Sequence, residues 1–271
     1  MKKRTMAVLG VGNMAKAIIA GVLQSEIPLD KIIVYDKNTE QYGELPQHDI
    51  FAFAQSAPEA VSRADVVLLA VKPQNYDELL SDIATLPEHS SRLYISIAAG
   101  ITSAQVSKSL GGACVIRVLP NVPMLIGQGV SLICENEKAT GDDMAFVDRV
   151  FRGAGSTMMI DESEMNRLIG VTSSSPAYVF RFIDAIYRAA LAQGLPDREL
   201  LSAICDVVIG SATLLKNSSE SPQQLISRVA SKGGTTEQAL LQLTENKFDE
   251  TIQKAMIACT ARADELGRAS K

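Results

Sequence analysis

The chain has 271 residues, of which 46% are hydrophobic and 21% charged, and its formal net charge is -5 at pH 7. This composition is typical of a globular protein with one or two domains. The longest basic run, Lys2-Lys3-Arg4, is too short for the electrostatic footprint of nucleic-acid binding, so we expect no nucleic-acid partner.

The cysteines and histidines form neither a metal-binding nor a disulfide pattern. The four cysteines lie far apart without a Cys-x-x-Cys pair, and the two histidines lack ligand spacing. We therefore expect reduced cysteines and no metal site. No run approaches the roughly 18 apolar residues of a membrane span, and the apolar start is too short for a signal peptide, so we predict a cytoplasmic protein without a membrane partner.

Short apolar runs alternate with helical patterns in the first part of the chain. Strands are predicted at residues 6–9, 32–35, 66–71, 93–97, 115–119 and 130–134. Helices are predicted between them at residues 14–24, 58–63, 76–84 and 103–110. This alternation predicts a Rossmann-type, doubly wound parallel sheet in a dinucleotide-binding domain of residues 1–161, with the ligand at the carboxyl ends of the strands.

The first glycine-rich segment, Gly10-x-Gly12-x-x-Ala15, follows a predicted strand and opens a predicted helix. This context favours a dinucleotide-binding loop, in which Gly10 permits a tight turn and Gly12 lets a pyrophosphate approach the backbone. The free amides at the helix start face the phosphate charge. The alternative is a glycine-rich turn without a ligand.

Two charged residues follow strands at the same edge of the predicted sheet. Asp36 can accept hydrogen bonds from a ribose 2'-hydroxyl and repel a 2'-phosphate, which favours NADH over NADPH. If Asp36 turns away, Lys37, Asn38 and Thr39 can surround a 2'-phosphate instead, so both cofactors stay open. Lys72 closes the strand at 66–71, where its stem can cover the cofactor. A solvated aspartate and a surface lysine are the structural alternatives.

After Asp161 the strand-like runs end. Helical patterns at residues 176–193, 196–216, 222–230 and 236–266 predict an all-helical domain over 162–271. The first two of these helices are apolar on several faces, which is more surface than about 110 residues easily bury alone. We therefore expect a homodimer or a higher oligomer.

Five further segments occur in a fixed order along the chain. They are Leu69-Ala70-Val71-Lys72-Pro73, Ser96-Ile97-Ala98-Ala99-Gly100, Arg117-Val118-Leu119-Pro120-Asn121, Ser174-Ser175-Pro176-Ala177-Tyr178 and Gly233-Gly234-Thr235-Thr236. In this order they resemble the pyrroline-5-carboxylate reductases over essentially the whole chain. The resemblance implies reduction of 1-pyrroline-5-carboxylate to L-proline by NADPH or NADH, the last step of proline biosynthesis.

The residue patterns and the resemblance together give a set of site residues. The cofactor set is Gly10, Gly12, Asn13, Met14, Asp36, Lys37, Ser56, Ala70, Val71, Lys72, Pro73, Ala98 and Gly100. The substrate set is Asn121, Pro123, Ser231, Gly233, Gly234, Thr235 and Thr236. In the family the substrate loop comes from the partner subunit, so the resemblance implies an active site shared within a homodimer.

Hydride transfer to a cyclic imine needs a protein that holds two reactants together, because the cofactor carries the chemistry. Thr236 is predicted to hydrogen-bond the ring nitrogen or the carboxylate, with Ser231 as a second catalytic residue and the amides of 233–236 as an anion cradle. The alternative for this loop is a helix N-cap with its turn. Arg117 and Tyr178 are expected to be structural.

Two positions depart from the family pattern. Leu119 replaces the usual methionine, which is nearly harmless in a packed site. Ser173 replaces the usual glycine and would be strained at positive φ. Ser173 therefore supports one alternative, an inactive NAD(P)H-binding regulatory protein. The other alternative is a reductase of the β-hydroxyacid dehydrogenase type, whose helix-centred lysine neither Lys216 nor Lys232 provides.

Overall fold

A single eight-stranded sheet lies at the centre of the first part of the chain. The computed structural model describes residues 3–134 and 136–269. The strands are β1 (Arg4–Leu9), β2 (Leu29–Tyr35), β3 (Phe51–Phe53), β4 (Val66–Leu69), β5 (Leu93–Ser96), β6 (Cys114–Leu119), β7 (Gly129–Cys134) and β8 (Gly155–Ile160). Their order in the sheet is β3-β2-β1-β4-β5-β6-β7-β8.

Helices cover both faces of this sheet, as expected for a doubly wound fold. They are α1 (Asn13–Gln24), α2 (Ala57–Ser62), α3 (Tyr76–Ala84), α4 (Ser103–Ser109), α5 (Gly141–Arg152) and α6 (Met165–Thr172). Strand β1 shows the two-sided packing, since Met6 and Val8 join one apolar cluster and Ala7 and Leu9 join another. The alternation follows from the two-residue period of a strand. The Rossmann-type fold is confirmed.

The sheet departs from the predicted all-parallel arrangement at one pairing. Strands β6 and β7 are antiparallel, while the other pairings are parallel. The connection between β6 and β7 contains the short 3-10 turn Val122–Ile126 and no α-helix. A parallel crossover needs a dozen or more residues, so this short connection returns the chain in the opposite direction.

Four elements of this region are absent from the sequence-based prediction. They are β3, β8, α5 and α6. Strand β3 has three residues, and β8 buries only Ile160 fully, so neither forms a long apolar run. Helix α5 did carry a local signal, because Thr140 and Asp143 form a capping box at its start.

The chain divides into two compact units, Met1–Ser174 with Cys259–Lys271, and Ser175–Ala258. We call them the sheet unit and the helical unit. The sheet unit extends past the boundary predicted after residue 161, because α6 packs on the sheet: Met165 is fully buried in a cluster with Leu119 and Leu132. The change in character after Asp161 is a change of element type, and the compact unit ends later.

The helical unit contains α7 (Ser175–Ala192), α8 (Leu200–Asn217), α9 (Pro222–Val229), α10 (Thr235–Glu245) and the first part of α11 (Phe248–Ala269). The prediction of one helix over 236–266 is wrong, because α10 and α11 are separate. Lys247 adopts a left-handed φ of 58° between them. Such a conformation cannot continue a right-handed helix, so the chain changes direction there.

Apolar side chains of the helical unit remain largely uncovered. Of residues 175–258, all of which the structure describes, Ile204 alone is buried. Helix α8 also has the length and mean hydropathy, 1.4, of a possible membrane span, although it carries Asp206 and Lys216. The expectation that no segment approaches this composition is therefore wrong for α8. One helix of this kind does not establish a membrane span, because an apolar helix at a subunit interface has the same composition.

Candidate active site

The glycine-rich loop connects β1 to α1 at the carboxyl edge of the sheet. Gly10 has a φ of +95°, and a Cβ there would lie 2.8 Å from the backbone nitrogen of Val71, so only glycine fits. Gly12 is the N-cap of α1, with no side-chain cap and no acidic residue in the first turn. A Cβ on Gly12 would meet no atom within 4 Å. The start of α1 is therefore open to an anion.

A cavity of about 390 Å³ lies beside this loop. It is lined by Gly10, Gly12, Tyr35, Asp36, Lys37, Ala70, Val71, Lys72, Gln74, Asn75, Leu79 and Asp82. The volume falls within the range of small-molecule sites. The structure thus brings seven of the predicted cofactor residues together, those of the glycine loop, of the β2 end and of the β4 end.

Five cavity residues were not in the predicted set: Tyr35, Gln74, Asn75, Leu79 and Asp82. Three of them, Asn75, Leu79 and Asp82, have the i, i+4, i+7 spacing of one helix face. Because α3 was predicted from residue 76 and Asn75 directly precedes it, this spacing was a usable signal in the sequence.

The remaining predicted cofactor residues do not line this cavity. Asn13 and Met14 begin α1, and Pro73 begins a 3-10 turn. Ser56 caps α2, where its hydroxyl accepts a hydrogen bond from the Glu59 amide at 3.2 Å. Ala98 and Gly100 follow β5. Their contact with the cofactor stays a prediction.

The carboxylate of Asp36 is fixed against the glycine loop. Its Oδ2 accepts a hydrogen bond from the Val11 amide at 2.6 Å, and its Oδ1 accepts one from the Asn38 amide at 2.8 Å. Beside it, Lys37 Nζ lies 2.6 Å from Oε2 of Glu78. The hydrogen bond with Glu78 raises the pKa of Lys37 above its usual value.

Tyr76 supports the strand ends next to the cavity. Its buried hydroxyl donates to the Leu69 carbonyl at 2.9 Å and lies 3.1 Å from the Ser96 hydroxyl. Burial raises the pKa of Tyr76 to about 12, so the hydroxyl stays protonated at neutral pH. We therefore assign Tyr76 a structural role.

Asn121, predicted to bind substrate, is buried and engaged within the sheet unit. Its amide nitrogen donates to the Thr172 carbonyl at 2.9 Å, and its amide oxygen accepts from the Val130 amide at 2.8 Å. The side chain therefore ties the end of β6 to α6 and β7. Pro123 lies in the following turn. A substrate contact by either residue stays a prediction.

Arg117 and Ser173 also received expectations from the sequence. Arg117 is buried and lies 3.0 Å from Glu162, which also accepts hydrogen bonds from the amide and the hydroxyl of Ser103. This agrees with a structural role for Arg117. Ser173 has a φ of -87° and a ψ of -36°, a right-handed helical conformation. The expected strain at this position is therefore absent.

In the helical unit, the predicted substrate loop precedes α10. Gly233 has a φ of +75°, which suits glycine, and the helix begins at Thr235 without a side-chain N-cap. Within the described part of the chain, no hydrogen bond engages the hydroxyls of Ser231, Thr235 or Thr236. The alternative of a Ser or Thr N-cap is therefore not observed, and these hydroxyls are available to a ligand.

The predicted anion cradle of this loop is smaller than expected. The Gly233 amide donates to Oε2 of Glu237 at 2.7 Å, and the Gly234 amide donates to the Ser231 carbonyl at 2.9 Å. These two amides are thus already used. The amides of Thr235 and Thr236, at the start of α10, remain for an anion.

Comparison with known proteins extends over nearly the whole chain. Residues 162–266 match the family model "Pyrroline-5-carboxylate reductase dimerisation", and residues 5–100 match "NADP oxidoreductase coenzyme F420-dependent". The pyrroline-5-carboxylate reductase of Escherichia coli (strain K12) is 35% identical over 98% of this chain and 99% of its own length.

Two solved structures have the same fold over similar lengths. The pyrroline-5-carboxylate reductase of Coxiella burnetii has a TM-score of 0.89 at 28% identity, covering 98% of this chain and 99% of that chain. The pyrroline carboxylate reductase of Plasmodium falciparum with NADP bound has a TM-score of 0.85 at 25% identity, with the same coverage of 98% and 99%.

Proposed function

The chain belongs to the pyrroline-5-carboxylate reductase family. We propose which of its residues bind the cofactor and which bind the substrate. The protein is an NAD(P)H-dependent oxidoreductase that reduces 1-pyrroline-5-carboxylate to L-proline. The observation that carries the assignment is the 35% identity over 98% of the chain, which includes both the cavity and the substrate loop.

The cavity of the sheet unit binds the nicotinamide cofactor, which supplies the hydride when it is bound. The residues present fit such a group. Gly12 leaves open space where a pyrophosphate needs close approach, and the start of α1 is uncapped. Asp36, which follows β2 and lines the cavity, binds the ribose of the adenosine half. Lys72 lines the cavity from the end of β4.

The loop at 231–236 binds the substrate. The imine arrives protonated, so hydride addition to its carbon completes the reduction, and the hydroxyl of Thr236 hydrogen-bonds the ring N–H or the carboxylate. Ser231 and the amides of Thr235 and Thr236 donate hydrogen bonds to the carboxylate. The support is the set of unengaged hydroxyls on this loop together with the glycine-dependent turn. The protein's task is to hold the ring against the hydride donor, within about 3–3.5 Å.

The chain self-associates through its helical domain, which we keep at residues 162–271 because the matched dimerisation model spans 162–266. We propose a homodimer in which each substrate loop serves the cofactor cavity of the partner. The uncovered apolar side chains of α7 and α8 support an interface there. Assembly beyond the dimer is compatible with the same surface.

We place the reaction in the cytoplasm. The four cysteines are free thiols, as is usual in a reducing compartment. A subunit interface accounts for the apolar composition of α8, so the proposal needs no membrane. No residue pattern calls for a metal, and no group of three or more potential metal ligands occurs in the part of the chain that the structure describes.

The test is oxidation of NADH and NADPH by the purified protein in parallel reactions with 1-pyrroline-5-carboxylate, followed by loss of reduced-nicotinamide absorbance. Rapid substrate-dependent loss is expected with at least one cofactor. Cofactor binding without turnover would contradict the assignment and revive the inactive regulatory alternative. That alternative rested on Ser173, whose ordinary φ of -87° gives it no support.

A further inference from the structure

Asp36 and Lys37 form the corner of the cavity that follows β2. This corner is where the protein can distinguish NADH from NADPH. The two cofactors share every group except the 2'-phosphate on the adenosine ribose, and the residue after β2 meets this ribose in a Rossmann-type fold. The difference in affinity between the two cofactors therefore reports on this corner alone.

Asp36 cannot leave this corner without loss of two hydrogen bonds. The Val11 and Asn38 amides donate to its two carboxylate oxygens, at 2.6 and 2.8 Å. Rotation of the side chain would leave both amides without an acceptor. Asn38 is engaged as well, because its side-chain oxygen accepts from the Glu40 amide at 3.1 Å. The arrangement in which residues 37–39 surround a 2'-phosphate is therefore disfavoured.

Two lysines near this corner are already paired with carboxylates. Lys37 lies 2.6 Å from Glu78, at the start of α3, and Lys16 lies 2.6 Å from Glu44. In the sheet order β2-β1-β4, the Lys37–Glu78 pair joins the two sides of the glycine loop. Asp82, one turn further along α3, lines the same cavity. The carboxylates of Asp36, Glu78 and Asp82 thus lie on this side of the cavity, while Lys72 lines it from the β4 end.

We propose that Asp36, assisted by the Lys37–Glu78 pair, makes this enzyme select NADH over NADPH. The inference rests on the proposed function. A ribose 2'-hydroxyl donates a hydrogen bond to the Asp36 carboxylate, whereas a 2'-phosphate brings about two negative charges to the same place. Glu78 adds to the repulsion and occupies Lys37, the cation that would otherwise meet the phosphate.

The test measures dissociation constants of NADH and NADPH for the full chain by isothermal titration calorimetry. We expect wild-type protein to bind NADH at least about tenfold more tightly, as juxtaposed like charges cost enough for such a ratio. Asp36→Asn keeps an acceptor for the Val11 amide and removes the charge. It should lower the NADH preference by about tenfold.

Glu78→Gln provides a second variant that leaves the Asp36 contacts intact. It releases Lys37, and since both side chains of this pair are more than half exposed, the preference should fall by only about two- to fivefold, and less at high salt. The matched control is Asp77→Asn, which removes the same charge from the same helical turn and leaves the Lys37–Glu78 pair intact. Its preference should equal that of wild type.

Wild-type protein that binds NADPH as tightly as NADH would overturn the inference. So would an unchanged ratio in both Asp36→Asn and Glu78→Gln. If Asp36→Asn binds neither cofactor, the Glu78→Gln ratio decides. Turnover with 1-pyrroline-5-carboxylate is measured in parallel, so that a protein that binds NADH selectively without reducing the imine would refute the proposed function and leave the cofactor inference standing.

Discussion

The sheet unit and the helical unit are both rich in apolar residues, but only the first buries most of them within one chain. Met6, Ala7, Val8 and Leu9 of β1 are fully buried between helices on both faces of the sheet. On α8, by contrast, Ile209 is 63% exposed. The sheet unit therefore forms a large core within one chain, whereas the helical unit leaves apolar faces that self-association can cover.

The two halves of the reaction follow the same division. The proposed cofactor cavity belongs to the sheet unit, and the proposed substrate loop belongs to the helical unit. Cofactor binding should therefore survive loss of assembly, while turnover should not.

The largest effect, loss of subunit assembly, is expected from Ile209→Asp on α8. A charge at a site that meets water costs little, whereas an unpaired charge buried between subunits costs several kcal/mol. We expect monomers in sedimentation velocity, with cofactor affinity retained.

The matched control is Met158→Asp on β8, at a side chain that is 50% exposed in the sheet unit. It should assemble like wild type. If Ile209→Asp also assembles normally, the uncovered face of α8 is not a subunit interface. The proposed contrast between the two units would then be wrong.

Glu162→Ala tests whether the buried Arg117–Glu162 pair stabilises the sheet unit. Arg117 would become an uncompensated buried charge, as its Nε and Nη2 already lack partners among the described residues. We expect a loss of about 3 kcal/mol in unfolding free energy and a Tm lower by about 6–12 °C. Assembly should persist at temperatures below the transition.

Glu164→Ala is the control for this variant, since it removes an exposed carboxylate that lies 3.9 Å from Arg167. Its Tm should change by little. Equal Tm values for the two variants would show that the Arg117–Glu162 pair does not stabilise the sheet unit.

Thr236→Ala separates the substrate loop from the cofactor cavity. We expect turnover to fall by about 10²-fold if the hydroxyl contacts the reacting ring, with unchanged cofactor affinity. The control is Thr244→Ala on the same helix, where the hydroxyl only donates to the Leu240 carbonyl. Unchanged turnover in Thr236→Ala would remove this residue from the mechanism.

Gly12→Ala should produce the smallest effect. In contrast to Thr236→Ala, it should weaken cofactor binding. A Cβ at Gly12 or at Gly43 meets no atom within 4 Å, so neither substitution should lower the Tm appreciably. Only Gly12→Ala blocks the approach of a pyrophosphate, and calorimetry should show cofactor affinity about tenfold weaker. Equal affinities for the two variants would contradict the assigned phosphate position.

Local rules predicted much of the sheet unit. The buried strand Val66–Leu69 is a continuous apolar run, and Gly10 and Gly12 are required by the turn that they form. Strand β8 escaped prediction because an edge strand with several half-buried or exposed positions lacks such a run. The contacts of Asn121 were equally hidden, because one of its partners, Thr172, lies 51 residues away in sequence.

In the helical unit, the helices and the uncovered apolar faces were largely predicted, whereas a side-chain contact was not. Its helices were predicted from their periodicity, apart from two left-handed residues. Glu199, with a φ of 56°, precedes α8, which begins at Leu200 and not near residue 196, and Lys247 lies between α10 and α11. Its apolar faces were predicted to exceed what the domain buries, and they do. The use of the Gly233 amide by Glu237 was not predicted, because it depends on the side-chain direction at the start of α10.

The most direct test of the division between the two units is turnover per chain across a dilution series, with sedimentation velocity and cofactor titration at the same protein concentrations. We predict that turnover falls in proportion to the assembled fraction while the cofactor dissociation constant stays the same. Full turnover in a protein that sediments as a monomer would contradict the account.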